Sequence, residues 1–154
     1  MISRRATVAA TLVLSLLPFY CAAQDQNDDW PPLSYLKADY KSVAVVAHVL
    51  IRHAEISGQI PGYENWRITA EVLEPFKGKL SKGDLIEYFH GAEAGVKKEY
   101  FTGEKIVFLL TDHDNEQKAL KYSVLENSTL TPAEQVLRKL RIIRKSVVKR
   151  RHRR

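Results

Sequence analysis

The sequence predicts an all-β domain, a small barrel of five strands followed by a C-terminal helix. Two observations carry that expectation. Short runs rich in Val, Ile, Leu and aromatic residues recur between Gly-, Pro- and Asp-containing stretches, the punctuation of a strand-and-turn fold. After the last of these runs the apolar period lengthens to that of a helix, opened by Thr131-Pro132-Ala133-Glu134.

Residues 1–23 precede the domain. Arg4 and Arg5, an apolar run over residues 6–20 and then Cys21-Ala22-Ala23 form the three-part pattern of a secretory signal peptide. The mature chain is therefore expected to start at Gln24, to be secreted or periplasmic, and to carry no transmembrane span. The apolar run falls short of the ~18 residues of a membrane-crossing helix. Pro18-Phe19-Tyr20 also puts bulky residues where a lipid-attachment motif on Cys21 wants small ones. Residues 24–34 are polar around Pro31-Pro32 and read as a flexible lead-in.

Residues 42–51 place Val43, Val45, Ala47, Val49 and Ile51 on one face and are largely apolar on the other, as expected of a strand covered on both sides for part of its length. After a loop with Gly58, Pro61 and Gly62, residues 65–73 alternate cleanly. Trp66, Ile68, Ala70 and Val72 oppose Arg67, Thr69 and Glu71. A turn-rich connector over residues 76–84 leads to a short strand at residues 85–89, which residues 91–95 break. Phe101-Thr102-Gly103-Glu104 turns into residues 105–110, the most apolar strand of the second half. Asp112-His113-Asp114-Asn115 is a polar turn, and residues 120–125 form a fifth strand with Leu120, Tyr122 and Val124 on one face. Val45, Ile68 and Phe108 are expected on inward faces of the barrel.

The helix starts with Thr131 as N-cap, Pro132 at the first helical position and Glu134 three residues after the cap, a reciprocal capping arrangement. Val136, Leu137, Leu140, Ile143 and Val147 form its apolar stripe. Arg138, Lys139, Arg141, Arg144 and Lys145 occupy the remaining circumference, and the helix frays into Lys149-Arg150-Arg151-His152-Arg153-Arg154. Five strands and a terminal helix select the five-stranded OB-like Greek-key barrel. The expected organisation is a signal peptide at 1–23, a lead-in at 24–34, the barrel at 35–126, an amphipathic helix at 127–148 and a basic tail at 149–154.

The order of these segments also resembles a family. Ala38-Asp39, the strand around Val43 to Val49, Trp66 through Val72-Leu73-Glu74-Pro75-Phe76-Lys77-Gly78, then Gly83-Asp84, then Tyr100-Phe101-Thr102-Gly103-Glu104 leading into the apolar strand, are similar to the netrin-like or tissue-inhibitor-of-metalloprotease-like (TIMP-like) OB-fold domain, in a cysteine-free variant. The resemblance spans residues 35–110 and implies fold rather than activity. Metalloprotease inhibitors of that family chelate the target's zinc through an N-terminal cysteine, whereas the mature N-terminus expected here is Gln24. Inhibition by that route is not implied.

Charge and chemistry narrow the function classes. The chain holds 24 Lys+Arg against 18 Asp+Glu, but residues 24–137 hold 12 basic against 18 acidic while 10 basic residues follow Leu137. The two poles are opposed. The single cysteine lies in the leader, so the mature chain is expected to use neither disulfides nor thiolate chemistry. Phosphate-cradling loops, nucleophile elbows and complete metal-ligand spacings are absent, and no cofactor is expected. His48 and His53 have opposite strand parity, Asp112-His113-Asp114 reads as a solvated turn, and His90 with Glu93 shares a glycine-containing loop.

The basic residues Arg138, Lys139, Arg141, Arg144, Lys145, Lys149, Arg150, Arg151, Arg153 and Arg154 are the candidate polyanion-binding set. No aromatic residue follows Tyr122, so the set lacks the stacking platforms of single-stranded nucleic-acid sites, and nucleic acid is disfavoured as partner. An anionic envelope polymer or lipid surface suits the exported address better. The expected function is a non-catalytic binding or interaction module with an unknown protein partner or such a surface. The alternatives are a protease regulator working through barrel loops, an enzyme whose residues converge only in the fold, and a basic helix end that merely complements the helix dipole. Asn127-Ser128-Thr129 is a formal N-glycosylation sequon.

Overall fold

Two helices lie against one wall of a closed five-stranded barrel whose strands, counted along the chain, follow the order first, second, third, fifth, fourth. The computed structural model describes residues 30–113 and 120–151, with the side chains of Asp112, His113, Leu120, Lys121, Glu126, Asn127, Arg150 and Arg151 outside that description. The expected signal peptide, most of the lead-in, Asp114, Asn115, Arg153 and Arg154 lie outside the described residues. One unit, Pro31–Arg154, carries every element. These are α1 (Leu33–Ser42), β1 (Val45–Ile60), β2 (Tyr63–Lys77), β3 (Leu85–Glu93), a 3-10 turn (Lys98–Phe101), β4 (Gly103–His113), β5 (Leu120–Leu130) and α2 (Glu134–Arg151).

β1 pairs antiparallel with β2 along its length, and with β4 only from Val45 opposite Leu109 to Ile51 opposite Gly103. Closure is a parallel contact between β3 and β5, with Phe89 opposite Ser123. This is the all-β, OB-like barrel with a C-terminal helix that the sequence predicts.

Two apolar clusters explain the strand patterns. The barrel interior holds Val45, Ala47, Val49, Trp66, Ile68, Ala70, Val72, Tyr88, Val107 and Leu109. A second cluster, between the outer wall and the helices, holds Leu36, Tyr40, Val46, Phe76, Ile106, Phe108, Leu137, Leu140 and Ile143. β1 and β4 are apolar on both faces because each contributes alternate residues to both clusters. Phe108 corrects the sequence reading. It is fully buried, but under the helices and not inside the barrel, since strand alternation sends it opposite to Val107 and Leu109.

Several boundaries differ from expectation. The start of the fold is helical: α1 spends Leu36 and Tyr40, four apart, on the outer cluster, so the lead-in assigned to residues 24–34 runs into the first turn of a helix. Lys77 holds the other end of that helix. Its ammonium donates to the carbonyls of Tyr40 at 2.6 Å and Lys41 at 3.3 Å and also to that of Val43, while the Tyr40 hydroxyl donates to the Phe76 carbonyl at 2.6 Å. A cation among C-terminal carbonyls satisfies acceptors and complements the dipole.

The segment with Gly58 and Pro61 is no loop but the outer part of a long β1–β2 arm turned at Gly62, whose φ is 84°. Its outward face carries cross-strand ion pairs, Arg52 with Glu71 and Arg67 with Glu55, and residues 56–60 are exposed on both faces, which hides the strand period. β3 likewise continues through Gly91 to Glu93. β5 runs on to Leu130, opposite Ile106, so residues 127–130 are strand and not helix. Thr131 is accordingly not the N-cap. α2 begins at Glu134, the Ala133 carbonyl accepts from Val136 and Leu137 at 2.9 and 3.1 Å, and the helix continues through Arg151 instead of fraying.

Candidate functional site

Docking α2 on the barrel divides its basic residues into two groups. Val136, Leu137, Leu140 and Ile143 bury one face of the helix, as its apolar spacing predicts. The cations flanking that face are drawn into the contact. Arg141 donates through Nη2 to Glu74 at 2.8 Å and through Nη1 to Glu134 at 2.9 Å. Arg144 donates to the Pro75 carbonyl at 2.7 Å, and its guanidinium lies 5.7 Å from the Phe76 ring centroid. Lys139 donates to the Pro31 carbonyl at 3.0 Å. The Arg141 hydrogen bond holds the Glu74 carboxyl below its ordinary range against the opposing effect of burial, with smaller help from Arg144 and His48. These three cations fasten the helix.

Arg138, Lys145 and Lys149 fall on the opposite face at spacings of seven and four, so they line up along one side. All three are exposed, with no ion pair among the described residues. Ile142, also exposed, sits between them. Arg150 and Arg151 continue the helix, their side chains outside the description, and Arg153 and Arg154 lie beyond it. Of the sequence-predicted set, the structure thus brings Arg138, Lys145 and Lys149 together and diverts Lys139, Arg141 and Arg144 to packing.

The histidines have separate environments. His48 meets Glu104 at 2.8 Å, and His53 meets Glu55 at 3.4 Å. Among the described residues no group of three or more His, Cys, Asp or Glu side chains is placed to hold a metal ion. No described helix is long and apolar enough to cross a membrane.

A second feature escaped the sequence reading. At the end of the barrel from which the β1–β2 arm projects, a cavity of about 580 Å³ opens between Tyr63, His90, Glu93, Tyr100, Val124 and Thr129. The His90 ring lies edge-on to Tyr100 at 6.3 Å and to Phe101 at 5.2 Å, and Phe101 packs on Trp66 at 4.6 Å. Burial pushes the His90 imidazole below its ordinary value. The only sequence signal was the proximity of His90 and Glu93. The tyrosines come from other elements. No family model matches the chain, and no curated protein matches it either.

Proposed function

We propose that this protein is an exported, non-catalytic OB-like binding module, a cysteine-free relative of netrin-like and TIMP-like domains, held to anionic envelope material by the outer face of α2. The observation that carries the proposal is the division of the helix cations. Arg141 and Arg144 are spent on Glu74 and the barrel wall, whereas Arg138, Lys145 and Lys149 form an exposed row with no ion pair among the described residues. A row of lysine and arginine near an anionic surface gains about fivefold in affinity per residue, and salt screens the gain.

The test is co-sedimentation of the full chain with phosphatidylglycerol vesicles and with lipopolysaccharide, at low and moderate salt. Changing Arg138, Lys145 and Lys149 together to Gln is expected to weaken binding by about 100-fold and to leave thermal stability unchanged. Equal binding by wild type and variant overturns the proposal.

Protease regulation through barrel loops is the second reading. The exposure of Ile60 and Tyr63, a cross-strand pair at the tip of the β1–β2 arm, favours it. Loss of protease inhibition in an Ile60→Asp variant is its test.

A further inference from the structure

The cavity at the barrel mouth has its own chemistry, separate from the cationic helix. Its volume, about 580 Å³, lies within the roughly 300–1,000 Å³ of small-molecule sites. Tyr63 and Tyr100 rise at its rim, each about half exposed, with 53% and 52% of their surface accessible. Val124 and Thr129 come from β5 on the other side. The Thr129 hydroxyl is buried with no hydrogen-bond partner among the described residues, so its donor and acceptor capacity is unused by the fold.

We propose that this mouth binds a neutral saccharide unit, seated against the Tyr63 and Tyr100 rings and hydrogen-bonded by Glu93, His90 and Thr129. Charge disfavours the first competitor. Among the described residues the lining contains a carboxylate, Glu93, and no lysine or arginine, and the nearby Lys105 ammonium is already taken up over the Tyr100 ring, so the lining opposes phosphate and other anions. An organic cation would also gain from aromatic faces beside a carboxylate. Its nitrogens, however, donate or, when quaternary, neither donate nor accept, whereas four of the five polar side chains described at the mouth both donate and accept: the hydroxyls of Tyr63, Tyr100 and Thr129, and His90, whose burial favours the neutral ring with one donor and one acceptor. Ligand hydroxyls both donate and accept, and so pair with these groups in either direction. A compact ligand with several hydroxyls and an apolar ring face is a pyranose. One face of Tyr100 already carries the Lys105 ammonium, 5.5 Å from the ring centroid, which further opposes a second cation there.

The experiment is an NMR titration of the full chain with maltose, cellobiose and diacetylchitobiose, set beside choline and N-acetylarginine amide. Saturable shifts of the Tyr63, His90 and Tyr100 ring signals with a disaccharide are expected. Tyr100→Ala and Glu93→Gln should each weaken that binding about tenfold. Thr129→Val should also weaken it, yet leave Tm unchanged or raised, because it removes a buried unpartnered hydroxyl. A purely structural Thr129 would give the opposite pattern. The triple Gln variant of Arg138, Lys145 and Lys149 should bind saccharide as wild type does, which separates this site from the vesicle-binding face. Shifts with choline or the arginine amide in place of the saccharides, or no saturable shift with any disaccharide, overturn the proposal.

Discussion

Asp39 and Ser128 are 89 residues apart in sequence and 3.0 Å apart in the fold, where the Ser128 hydroxyl donates to the Asp39 carboxylate. The bond ties α1 to β5. Ser128 is only 1% exposed, and it is the middle residue of the formal sequon Asn127-Ser128-Thr129. In the folded protein that hydroxyl is committed to structure. A Ser128→Ala change should cost about 1.5–3 kcal/mol, the range for a hydrogen bond to a charged group, measured by urea denaturation. An unchanged midpoint would show that the bond contributes nothing net.

Gly78 follows the lysine that caps α1 and has φ of +102°. A Cβ there would lie 2.9 Å from Val45 Cγ2 and 3.4 Å from the Ala44 carbonyl oxygen. Gly78→Ala therefore meets both backbone strain and a clash with β1, and should lower stability by about 1–3 kcal/mol. By contrast, a Cβ at Gly91 meets nothing within 4 Å, so Gly91→Ala is expected to change stability far less.

Glu74 links the helix clamp to pH. Its carboxyl titrates below the ordinary value of 4.5 when folded, chiefly because Arg141 donates to it. Between the folded and unfolded values the unfolded state binds more protons, so its stabilisation is present at neutral pH and lost as pH falls through the folded value. A Glu74→Gln variant should thus melt below wild type at pH 7, with the gap closing in acid below pH 4.5. A constant gap across that range would remove the ionic account of the clamp.

Phe108 tests the two-cluster architecture. Truncation to Ala should cost about 3–5 kcal/mol and loosen α1 and α2, because the ring fills the space beneath them. Hydrogen exchange should show increased opening in the helices ahead of the strands lining the interior. Faster exchange confined to the interior strands would place the ring on the wrong side of the wall.

The parts of this fold that were legible are those whose signal is local. Residues from Trp66 to Val72 alternate with period two because one face meets the interior and the other meets solvent, and the sequence displays that directly. Phe108 was misassigned because a strand buried on both faces shows no alternation to orient it. The first helix was missed although Leu36 and Tyr40 are spaced for it, since ten residues after a Pro-Pro pair give few turns to read. Which cations of α2 would be occupied depends on Glu74, 67 residues before Arg141, and no local pattern encodes that meeting. The mouth cavity is likewise assembled from four separate segments.

The outer cluster has a consequence for the order of folding. α1 contributes Leu36 and Tyr40 to it, and α2 contributes Leu137, Leu140 and Ile143, so the earliest helix acquires its cover only after the latest one exists. A growing chain that stops at β5 can pair its strands, but it leaves Val46, Ile106 and Phe108 without their roof. Such non-local closure is the kind that slows folding. Of the described elements α2 is synthesised last, so it completes the roof over a wall to which Lys77 and Ser128 already hold the first helix.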